Sequence, residues 1–440
     1  MSIGEKFAKK KWSGLVEKRL KDTAKFLLRF IKRKPKFFFH SPKFTVLKAG
    51  SNKHLHNLFP VDISETKNKL VDGLSVYKDV ISYPLDVGKE KNHSGGLIDS
   101  STNQLIKEAI HFNGELCQEL PDLDDNFFTK TDLPEIQNPV LFGGIMYNNY
   151  GHFLLESISR LWAYQYVKQF DPYILFYTYW GNPYYLNTKN YVYQALSGLN
   201  IPHEKVFFLE YAARIKTVFV PVQKYGYGFS KRPDELFMTF INSFKFPYSI
   251  PENYKNAKKI YVSRSKLPIG YGKPIGENLF EEYLISNGYA IFYPERYTLF
   301  QQLSVYAHAE KLIFCDGASI HTCILLPKLK AQVAIIARRV DERWPSIDIT
   351  HQFEGYDQKV LWVDAVEGQY QFGLETWYAC AVIDWYTVSN ILHSGGFVDA
   401  PFSAFREINY EAIVRREVSR FIKAISKKPQ FMDFMIKSKN

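Results

Sequence analysis

The sequence lacks the features that identify several large classes of protein. Its four cysteines form no CxxC pair and have no zinc-type spacing, which in a chain of 440 residues favours reduced thiols over a disulfide framework. No apolar stretch approaches the roughly 18 uninterrupted residues that a membrane span needs. The N-terminus is charged throughout and has no apolar core, so we expect no secretory signal peptide and a cytoplasmic protein.

Cofactor and metal motifs are also missing. No GxGxxG follows the first strand pattern, which argues against a nicotinamide or flavin enzyme, and no GxxxxGKS/T is present, which argues against P-loop chemistry. His321 and Asp316 have no convincing ligand spacing with another His or Cys. The cluster Asp122, Asp124 and Asp125 adjoins no apolar strand, and we interpret it as a solvated turn. We therefore predict neither a metal nor a bound cofactor.

The positive charge is concentrated at one end of the chain. Residues 1–36 hold 13 Lys and Arg against 3 Asp and Glu, whereas the remainder holds 43 against 42. The apolar residues interleaved with these cations are Phe7, Trp12, Leu15, Val16, Leu20, Leu27, Leu28 and Ile31. This pattern predicts a basic amphipathic helix that binds the anionic inner face of the cell membrane. A solvated helix packed on the body is the alternative; the neutral body shows no nucleic-acid module, so we expect no nucleic-acid partner.

The body of the chain has ample material for buried cores, since 46% of all residues are hydrophobic. From Lys258 onward, short apolar runs alternate with helical patterns of about a dozen residues, and the first half shows the same alternation less cleanly. Such alternation predicts an α/β fold with βαβ units and parallel sheets. We predict two facing Rossmann-like domains at residues 37–245 and 255–375, and C-terminal helices at 376–440 that pack back on the N-terminal domain.

The most informative segment is residues 147–162, YNNYGHFLLESISRLW. A polar loop follows an apolar run and opens into a helix-period pattern, which is where open α/β sheets bind their ligands. His152, Glu156 and Arg160 are spaced four apart, so they would share one helix face. The alternative is a histidine that caps or packs the helix beside a solvated Glu156–Arg160 pair.

A second candidate site lies in the later half of the chain. Strand IYV ends in SRSK, and strand KLIF runs through the turn DGAS into a helix. A helix N-terminus attracts phosphate, Gly317 lets the backbone approach closely, and Arg264 and Lys266 supply cations. We predict a diphosphate site here, although each piece alone also fits ordinary surface structure. Glu295, which follows the intervening strand, would either accept from ribose hydroxyls or cap the next helix.

Three motifs, in order, resemble those of glycosyltransferase family 61: YNNYGHFLLESISRLW, YVSRSK and YPERYTLFQQLSVYAHAEKLIFCDGASIHTCILL. The similarity covers residues 139–340. That family includes bacterial capsule and surface-polysaccharide enzymes, and its members are inverting, use nucleotide-sugar donors and have two facing Rossmann-like domains, the GT-B arrangement. The resemblance implies the same features for this chain.

The resemblance also implies roles for individual residues. The family often has a His-Gly-Ala-Gly-like turn, whereas here Asp316 precedes the glycine and the histidine, His321, comes later. The implied donor-binding residues are Arg264, Lys266, Glu295, Gly317, Ala318, Ser319 and His321. Across the cleft, near the acceptor, the implied residues are the catalytic pair His152 and Glu156 and the acceptor-binding Asn149, Tyr150 and Arg160.

Together these features predict an inverting, metal-independent glycosyltransferase that moves a sugar, expected from a UDP-sugar, to an oligosaccharide or lipid-linked glycan in capsule or surface-polysaccharide synthesis. His152 would deprotonate the acceptor hydroxyl, because a helix N-terminus disfavours the imidazolium and keeps the ring neutral. Glu156 would orient the imidazole or bind acceptor hydroxyls, and these roles can be exchanged. Two other interpretations stay open: a non-catalytic nucleotide- or glycan-binding scaffold, and a transferase of pyruvyl or phosphoryl groups.

Overall fold

The computed structural model describes residues 45–47, 71–87, 93–112, 118–121, 133–178, 191–226, 233–268, 271–326, 329–340, 349–354, 358–372, 375–425 and 434–438. The basic segment 1–36 and the acidic cluster Asp122, Asp124 and Asp125 lie outside these residues, so the interpretations of both stay predictions. Within the described ranges, no helix combines the length and the apolar character that crossing a membrane requires.

Ten strands of the described residues form one mixed sheet. They are β1 (Thr45–Leu47), β2 (Leu74–Val87), β3 (His93–Asp99), β4 (Gln104–Leu105), β5 (Gln118–Glu119), β6 (Glu135–Ile136), β7 (Val140–Met146), β8 (Tyr173–Thr178), β9 (Val206–Leu209) and β10 (Ala213–Pro221). Their order is β1-β9-β8-β7-β10-β2-β3-β4, with β5 beside β3 and β6 beside β10. The pairs from β1 to β10 are parallel and those from β10 to β4 are antiparallel. β7 is buried along its whole length, as an apolar strand covered on both faces must be.

The chain after β7 forms several short helical turns rather than the single helix that the sequence pattern predicts. They are an α-helical turn (Tyr150–His152), a π-helix (Phe153–Ser157), a 3-10 turn (Leu161–Ala163), an α-helical turn (Tyr164–Val167) and a 3-10 turn (Lys168–Phe170). The hydroxyl of Ser159 donates to the carbonyl oxygen of Glu156 at 2.6 Å and competes with regular helix hydrogen bonding. Because a π-turn is wider than an α-turn, residues beyond it leave the helix face of His152 and Glu156.

The second sheet is parallel throughout its five strands. They are β11 (Lys259–Val262), β12 (Ala290–Phe292), β13 (Lys311–Cys315), β14 (Gln332–Ile336) and β15 (Val360–Val363), in the order β12-β11-β13-β14-β15. The helices that connect its first four strands are Glu277–Ser286, Leu299–His308 and the 3-10 helix Ala318–Leu325. Thr298 and Gln301 form a capping box that starts the second of these. A mixed α/β fold with parallel-containing sheets is therefore confirmed.

One hydrophobic core joins the two sheets. Phe153, Leu154 and Ile158, from the turns after β7, belong to the same buried cluster as Leu303 and Ile320 from helices of the second sheet. Two further helices pack in this region, Tyr191–Gly198 against Leu299–His308 and Glu235–Asn242 against Ala318–Leu325. Shared apolar burial thus holds the segments after β7 and β13 together.

The C-terminal residues pack on the second sheet. They form an antiparallel sheet of β16 (Val366–Phe372), β17 (Glu375–Ile383) and β18 (Phe434–Ser438), together with the helices Trp385–Ser394 and Tyr410–Ile425. A short helix, His351–Glu354, precedes β15. Trp385 stacks on Phe280 with ring centroids 4.4 Å apart. This corrects the prediction that residues 376–440 pack on the N-terminal domain: Trp385 and its neighbours cover the face of the parallel sheet opposite to the shared core.

Candidate functional site

Each sheet has a parallel strand that is flanked on both sides by strands that come later in the chain. In the first sheet β8 lies on one side of β7 and β10 on the other, and in the second β12 lies on one side of β11 and β13 on the other. α/β proteins bind ligands at such switch points, beyond the carboxyl ends of the strands. His152 follows β7, Arg264 follows β11 and Gly317 follows β13, so both predicted sites begin at a switch point.

His152 and Glu156 form a close pair at the first switch point. Nδ1 of His152 lies 2.6 Å from Oε2 of Glu156. The carboxylate is fully buried, whereas 29% of the histidine side chain is exposed. An ionised carboxylate only accepts, so Glu156 places the hydrogen on Nδ1 and makes Nε2 the basic nitrogen.

Asn149 fixes the start of the helical turn that carries this pair. Its side-chain oxygen accepts from the N–H groups of Gly151 and His152 at 3.0 and 3.4 Å. Such an N-cap satisfies donors that the first turn of a helix leaves unpaired. The structure therefore uses the amide oxygen of Asn149, which we predicted to bind the acceptor, to orient the backbone at His152.

Tyr147 and His111 lie behind the pair. The ring of Tyr147 stacks on that of His152 with centroids 5.0 Å apart, and its hydroxyl lies 2.8 Å from Nε2 of His111. Burial, and next the charge of Arg160, lower the pKa of His111 to about 3, so its imidazole is neutral at physiological pH. No sequence pattern predicts a role for His111, because it lies in an irregular segment that has no motif.

Arg160 does not join His152 and Glu156, contrary to the prediction from their spacing. Its side chain is 1% exposed, and burial lowers its pKa to about 9. The guanidinium donates to four main-chain carbonyl oxygens, those of Glu108, Ala109, Ile110 and Pro221. We therefore correct the predicted role of Arg160 from acceptor binding to a structural one: it ties residues 108–110 to the end of β10.

Arg264 and Gly317 lie together at the second switch point. The guanidinium occupies the space beside Gly317, where a β-carbon would overlap Nη1 of Arg264. Nη2 donates to the carbonyl oxygens of Tyr271 and Gly272 at 2.7 and 3.0 Å, which holds the side chain in place. The backbone of Gly317 is extended, a conformation that any residue can adopt. Glycine is required here because a side chain would occupy the space of the Arg264 guanidinium.

Two arginines that the sequence analysis missed complete a cationic cluster. Asp316 is buried; its Oδ2 accepts from Nε of Arg339 at 3.0 Å, and its carbonyl oxygen accepts from Nε of Arg338 at 3.1 Å. Burial alone would raise the pKa of Asp316, but Arg339, Arg338 and Arg264 outweigh it and hold the pKa below its ordinary value. The sequence signal that could have identified both arginines is their position directly after β14, the strand that pairs with β13.

Two buried carboxylates of one helix support the turn after β11. Oε1 of Glu277 accepts from the backbone N–H of Arg264 at 2.9 Å. Oε1 of Glu281 accepts from the hydroxyls of Ser263 and Ser265 at 2.5 and 2.6 Å. Burial raises the pKa of Glu277 to about 7. Ser263 and Ser265 of the SRSK motif are thus hydrogen-bonded within the protein. Arg264, between them, lies in a turn that Glu277 and Glu281 stabilise.

The two sites meet at Gly151. A β-carbon there would lie 2.9 Å from Cδ2 of His321 and 3.3 Å from Cβ of Ala318. Nδ1 of His321 lies 3.2 Å from Oε1 of Gln352, and burial lowers the pKa of His321 to about 4. His321 and Ala318, predicted to bind the donor, therefore lie directly against the turn that carries His152.

Tyr150 makes the adjoining contact between the two sites. Its hydroxyl lies 2.7 Å from Oγ1 of Thr322 and 3.2 Å from Oε1 of Gln302, both in helices of the second sheet. Burial raises its pKa well above the ordinary value for tyrosine, so the hydroxyl stays protonated. The structure thus gives the predicted acceptor-binding Tyr150 a hydrogen-bonded position between the halves.

The remaining predicted donor-binding residues lie further out. Lys266 is exposed, with Nζ 5.9 Å from the centre of the Tyr293 ring. Glu295 is exposed in the short turn Pro294–Arg296 that follows β12. Ser319 is partly exposed in the first turn of the helix Ala318–Leu325. Of the predicted donor set, Ala318 and His321 lie against the turn that carries His152, and Arg264 lies beside Gly317.

The arrangement offers a basic nitrogen and a cationic cluster on adjoining elements. The His152–Glu156 pair is suited to accept a proton, and Arg264 and Arg339 supply positive charge that attracts an anion. Across the described residues, no three His, Cys, Asp or Glu side chains are grouped to hold a metal ion. The geometry suits a reaction in which a hydroxyl is deprotonated and an anionic group leaves.

Comparisons with known proteins address the same segment. Residues 150–333 match the glycosyltransferase 61 family model. Among solved structures, the chain is similar to the dodecameric iron-containing heptosyltransferase TibC in complex with ADP-D-β-D-heptose, at 11% identity over 79% of this chain and 98% of that one, with a TM-score of 0.27. No curated protein matches the chain. The matched segment includes His152, Arg264 and Gly317.

Proposed function

We propose that this protein is an inverting glycosyltransferase that moves a sugar from a nucleotide-sugar donor to a hydroxyl group of a glycan acceptor. The observation that carries the proposal is the contact of Gly151 with Ala318 and His321. Gly151 precedes the paired His152, and Ala318 follows the Gly317 turn that lies beside Arg264. The family match supports glycosyl transfer in general terms. The residue roles rest on contacts and charges.

His152 is the base in this proposal. Direct displacement with inversion needs one group that removes the proton from the acceptor hydroxyl as the hydroxyl attacks the anomeric carbon. Glu156 holds Nδ1, so Nε2 takes the proton, and the buried carboxylate offsets the positive charge that develops on the ring. The exposed fraction of the imidazole supports this role, because an acceptor must reach the ring.

Arg264, Arg339 and the first turn of Ala318–Leu325 hold the donor diphosphate. The diphosphate gains negative charge as its bond to the sugar breaks, and guanidinium groups and the N–H groups of a helix N-terminus stabilise that charge. Because these groups supply positive charge themselves, we propose that transfer is metal-independent. Arg338 supports the cluster through the carbonyl oxygen of Asp316.

The first and second sheets, in this proposal, belong to the acceptor and donor domains of a GT-B enzyme. We propose a UDP-sugar as donor and an oligosaccharide or lipid-linked glycan of capsule or surface-polysaccharide synthesis as acceptor. A lipid-linked acceptor suits the predicted basic segment at 1–36, which would hold a cytoplasmic enzyme at the anionic inner face of the cell membrane.

A panel of nucleotide sugars tests the proposal in two steps. Isothermal titration calorimetry with the full chain identifies the donor that binds, and NMR spectroscopy of the transfer product then reports the anomeric configuration. We expect one nucleotide sugar to bind more tightly than the rest, and the product to have the opposite anomeric configuration from that donor. Retention of configuration, or tight donor binding without transfer in an acceptor screen, would contradict the proposal.

A further inference from the structure

We propose that Tyr147 is a positioning residue for the His152 imidazole, and that His111 holds Tyr147 in place through its hydroxyl. This inference rests on the proposed function of His152 as the base. It assigns a role to a row of side chains that runs from the half-buried Gln223, after β10, through the buried His111 and Tyr147 to the reaction centre.

The stack between Tyr147 and His152 is the first observation. The two rings are 5.0 Å apart at their centroids and inclined by 26°, and Tyr147 is buried. The backbone N–H of Tyr147 donates to Oγ of Ser157 at 2.9 Å, which fixes the tyrosine to the π-helix. The hydrogen bond to Glu156 limits movement of the His152 imidazole within its ring plane, and the stack on Tyr147 limits movement out of that plane. Together they restrict both side-chain torsions of the proposed base.

The anchoring of Tyr147 is the second observation. Its hydroxyl lies 2.8 Å from Nε2 of His111, a neutral imidazole whose Nε2 can accept the hydroxyl hydrogen. His111 has a further side-chain hydrogen bond with Gln223. Gln223 is itself held by Phe112, whose N–H and carbonyl oxygen lie 3.1 and 2.9 Å from its amide group. The row therefore ends on a fixed backbone segment.

Arg160 supplies the frame for this row. Its guanidinium donates to the carbonyl oxygens of Glu108 and Ile110 at 2.6 and 2.9 Å, immediately before His111. The same guanidinium donates to Pro221, close to Gln223 in the chain. One buried side chain thus fixes both segments that position Tyr147, which accounts for an arginine in the interior at this position.

The stack has an electrostatic consequence as well as a geometric one. When the base accepts a proton, its ring becomes a cation, and the face of an aromatic ring attracts cations. Tyr147 therefore stabilises the charged ring in the transition state more than the neutral ring in the ground state. An interaction of this kind raises kcat without changing donor affinity.

Steady-state kinetics of full-length variants tests the proposal. Tyr147→Leu removes the stack and should lower kcat about 10- to 100-fold with the donor KM unchanged. Tyr147→Phe keeps the stack and should recover most of that loss. His111→Gln and Tyr147→Phe should each lower kcat only a few-fold, and the double variant should be no slower than the slower single one, because both break the same contact. Tyr248→Leu, at an exposed tyrosine, is the control that should leave kcat unchanged.

A spectroscopic readout keeps the test independent of activity. The proton on Nδ1 of His152, in its 2.6 Å bond to Glu156, should give a low-field imidazole resonance in histidine-labelled protein that His152→Gln removes. This resonance should persist in Tyr147→Phe and broaden or vanish in Tyr147→Leu. A sharp resonance and undiminished kcat in a folded Tyr147→Leu variant would overturn the inference.

The proposed function fails separately from this inference. A folded His152→Ala variant with undiminished turnover would refute the base assignment itself. If His152→Ala abolishes turnover while Tyr147→Leu retains it, the base stands and only the positioning role is refuted. If Tyr147→Leu loses turnover and donor affinity together, the tyrosine supports the whole site rather than the imidazole, and the positioning role is again refuted.

Discussion

Gly151 and His321 lie against each other where the two sheets meet: a β-carbon at position 151 would stand 2.9 Å from Cδ2 of His321. His321 is buried and has little room to move aside. Gly151→Ala should therefore lower the free energy of unfolding by about 1–3 kcal/mol, as overpacking does in other cores. Urea denaturation followed by circular dichroism measures this change.

The variant His321→Ala separates this overlap from other effects of the substitution. Without the imidazole there is room for the new β-carbon, so Gly151→Ala should cost clearly less stability in the His321→Ala background than in the wild-type protein. Equal costs in the two backgrounds would show that the two residues are not in contact.

Arg264→Lys should weaken the binding of nucleoside diphosphates about tenfold or more. A lysine keeps the charge but loses the several hydrogen bonds to the carbonyl oxygens of Tyr271 and Gly272 that hold the guanidinium beside Gly317. Isothermal titration calorimetry measures the affinity, and Arg415→Lys, at an exposed arginine of the C-terminal helix, is the matched control. Undiminished affinity in a folded Arg264→Lys protein would remove this residue from the proposed donor site.

Arg160→Leu should strongly destabilise the protein, because four main-chain carbonyl oxygens lose their donor and each buried, unsatisfied group costs about 1–3 kcal/mol. Thermal and chemical denaturation measure the loss. An acceptor-binding role would instead raise the acceptor KM and leave the free energy of unfolding unchanged. That second outcome would reverse the correction of Arg160 to a structural residue.

Glu277 should make stability fall as pH rises. Its pKa is about 7 in the folded protein and near 4.5 in the unfolded chain, so between these values the folded state binds the proton more tightly. The stabilisation is fully present below about pH 4.5 and is lost as pH rises through 7. Glu277→Gln stays neutral, so its free energy of unfolding relative to wild type should increase between pH 5 and 8, by up to about 3 kcal/mol.

The exposed Glu282 of the same helix provides the control for this pH dependence. Glu282→Gln should follow the wild-type curve of unfolding free energy against pH. Parallel curves for the wild type and Glu277→Gln would contradict the assignment of a buried, readily protonated carboxyl group beneath the turn of Arg264.

Part of this architecture could be predicted from local pattern. β7 and β13 are continuous apolar runs, which is the pattern of strands buried on both faces, and their turns carry the predicted sites. The four-residue spacing of His152 and Glu156 was sufficient to pair them, because one helical turn separates them. The meeting of Arg264 and Gly317 followed from the shared edge of adjacent parallel strands.

Other features depend on contacts that no local pattern contains. The π-helix Phe153–Ser157 interrupts the α-helical pattern and redirects Arg160, although the four-residue spacing continues in the sequence. His111 approaches Tyr147 across 36 positions of the chain. Arg339 acquires its place only through the pairing of β14 with β13. In each case tertiary packing decides the position of the side chain, so a single sequence did not reveal it.

The most direct test of the account is the turnover of His152→Ala with the donor identified by calorimetry. Nucleoside diphosphate affinity is measured on the same preparation, and His203→Ala, at another histidine beside a glutamate, is the control. We predict that His152→Ala lowers kcat about 100-fold or more, while diphosphate affinity and the His203→Ala variant stay at wild-type values. Near-normal turnover of a correctly folded His152→Ala protein would contradict the central claim.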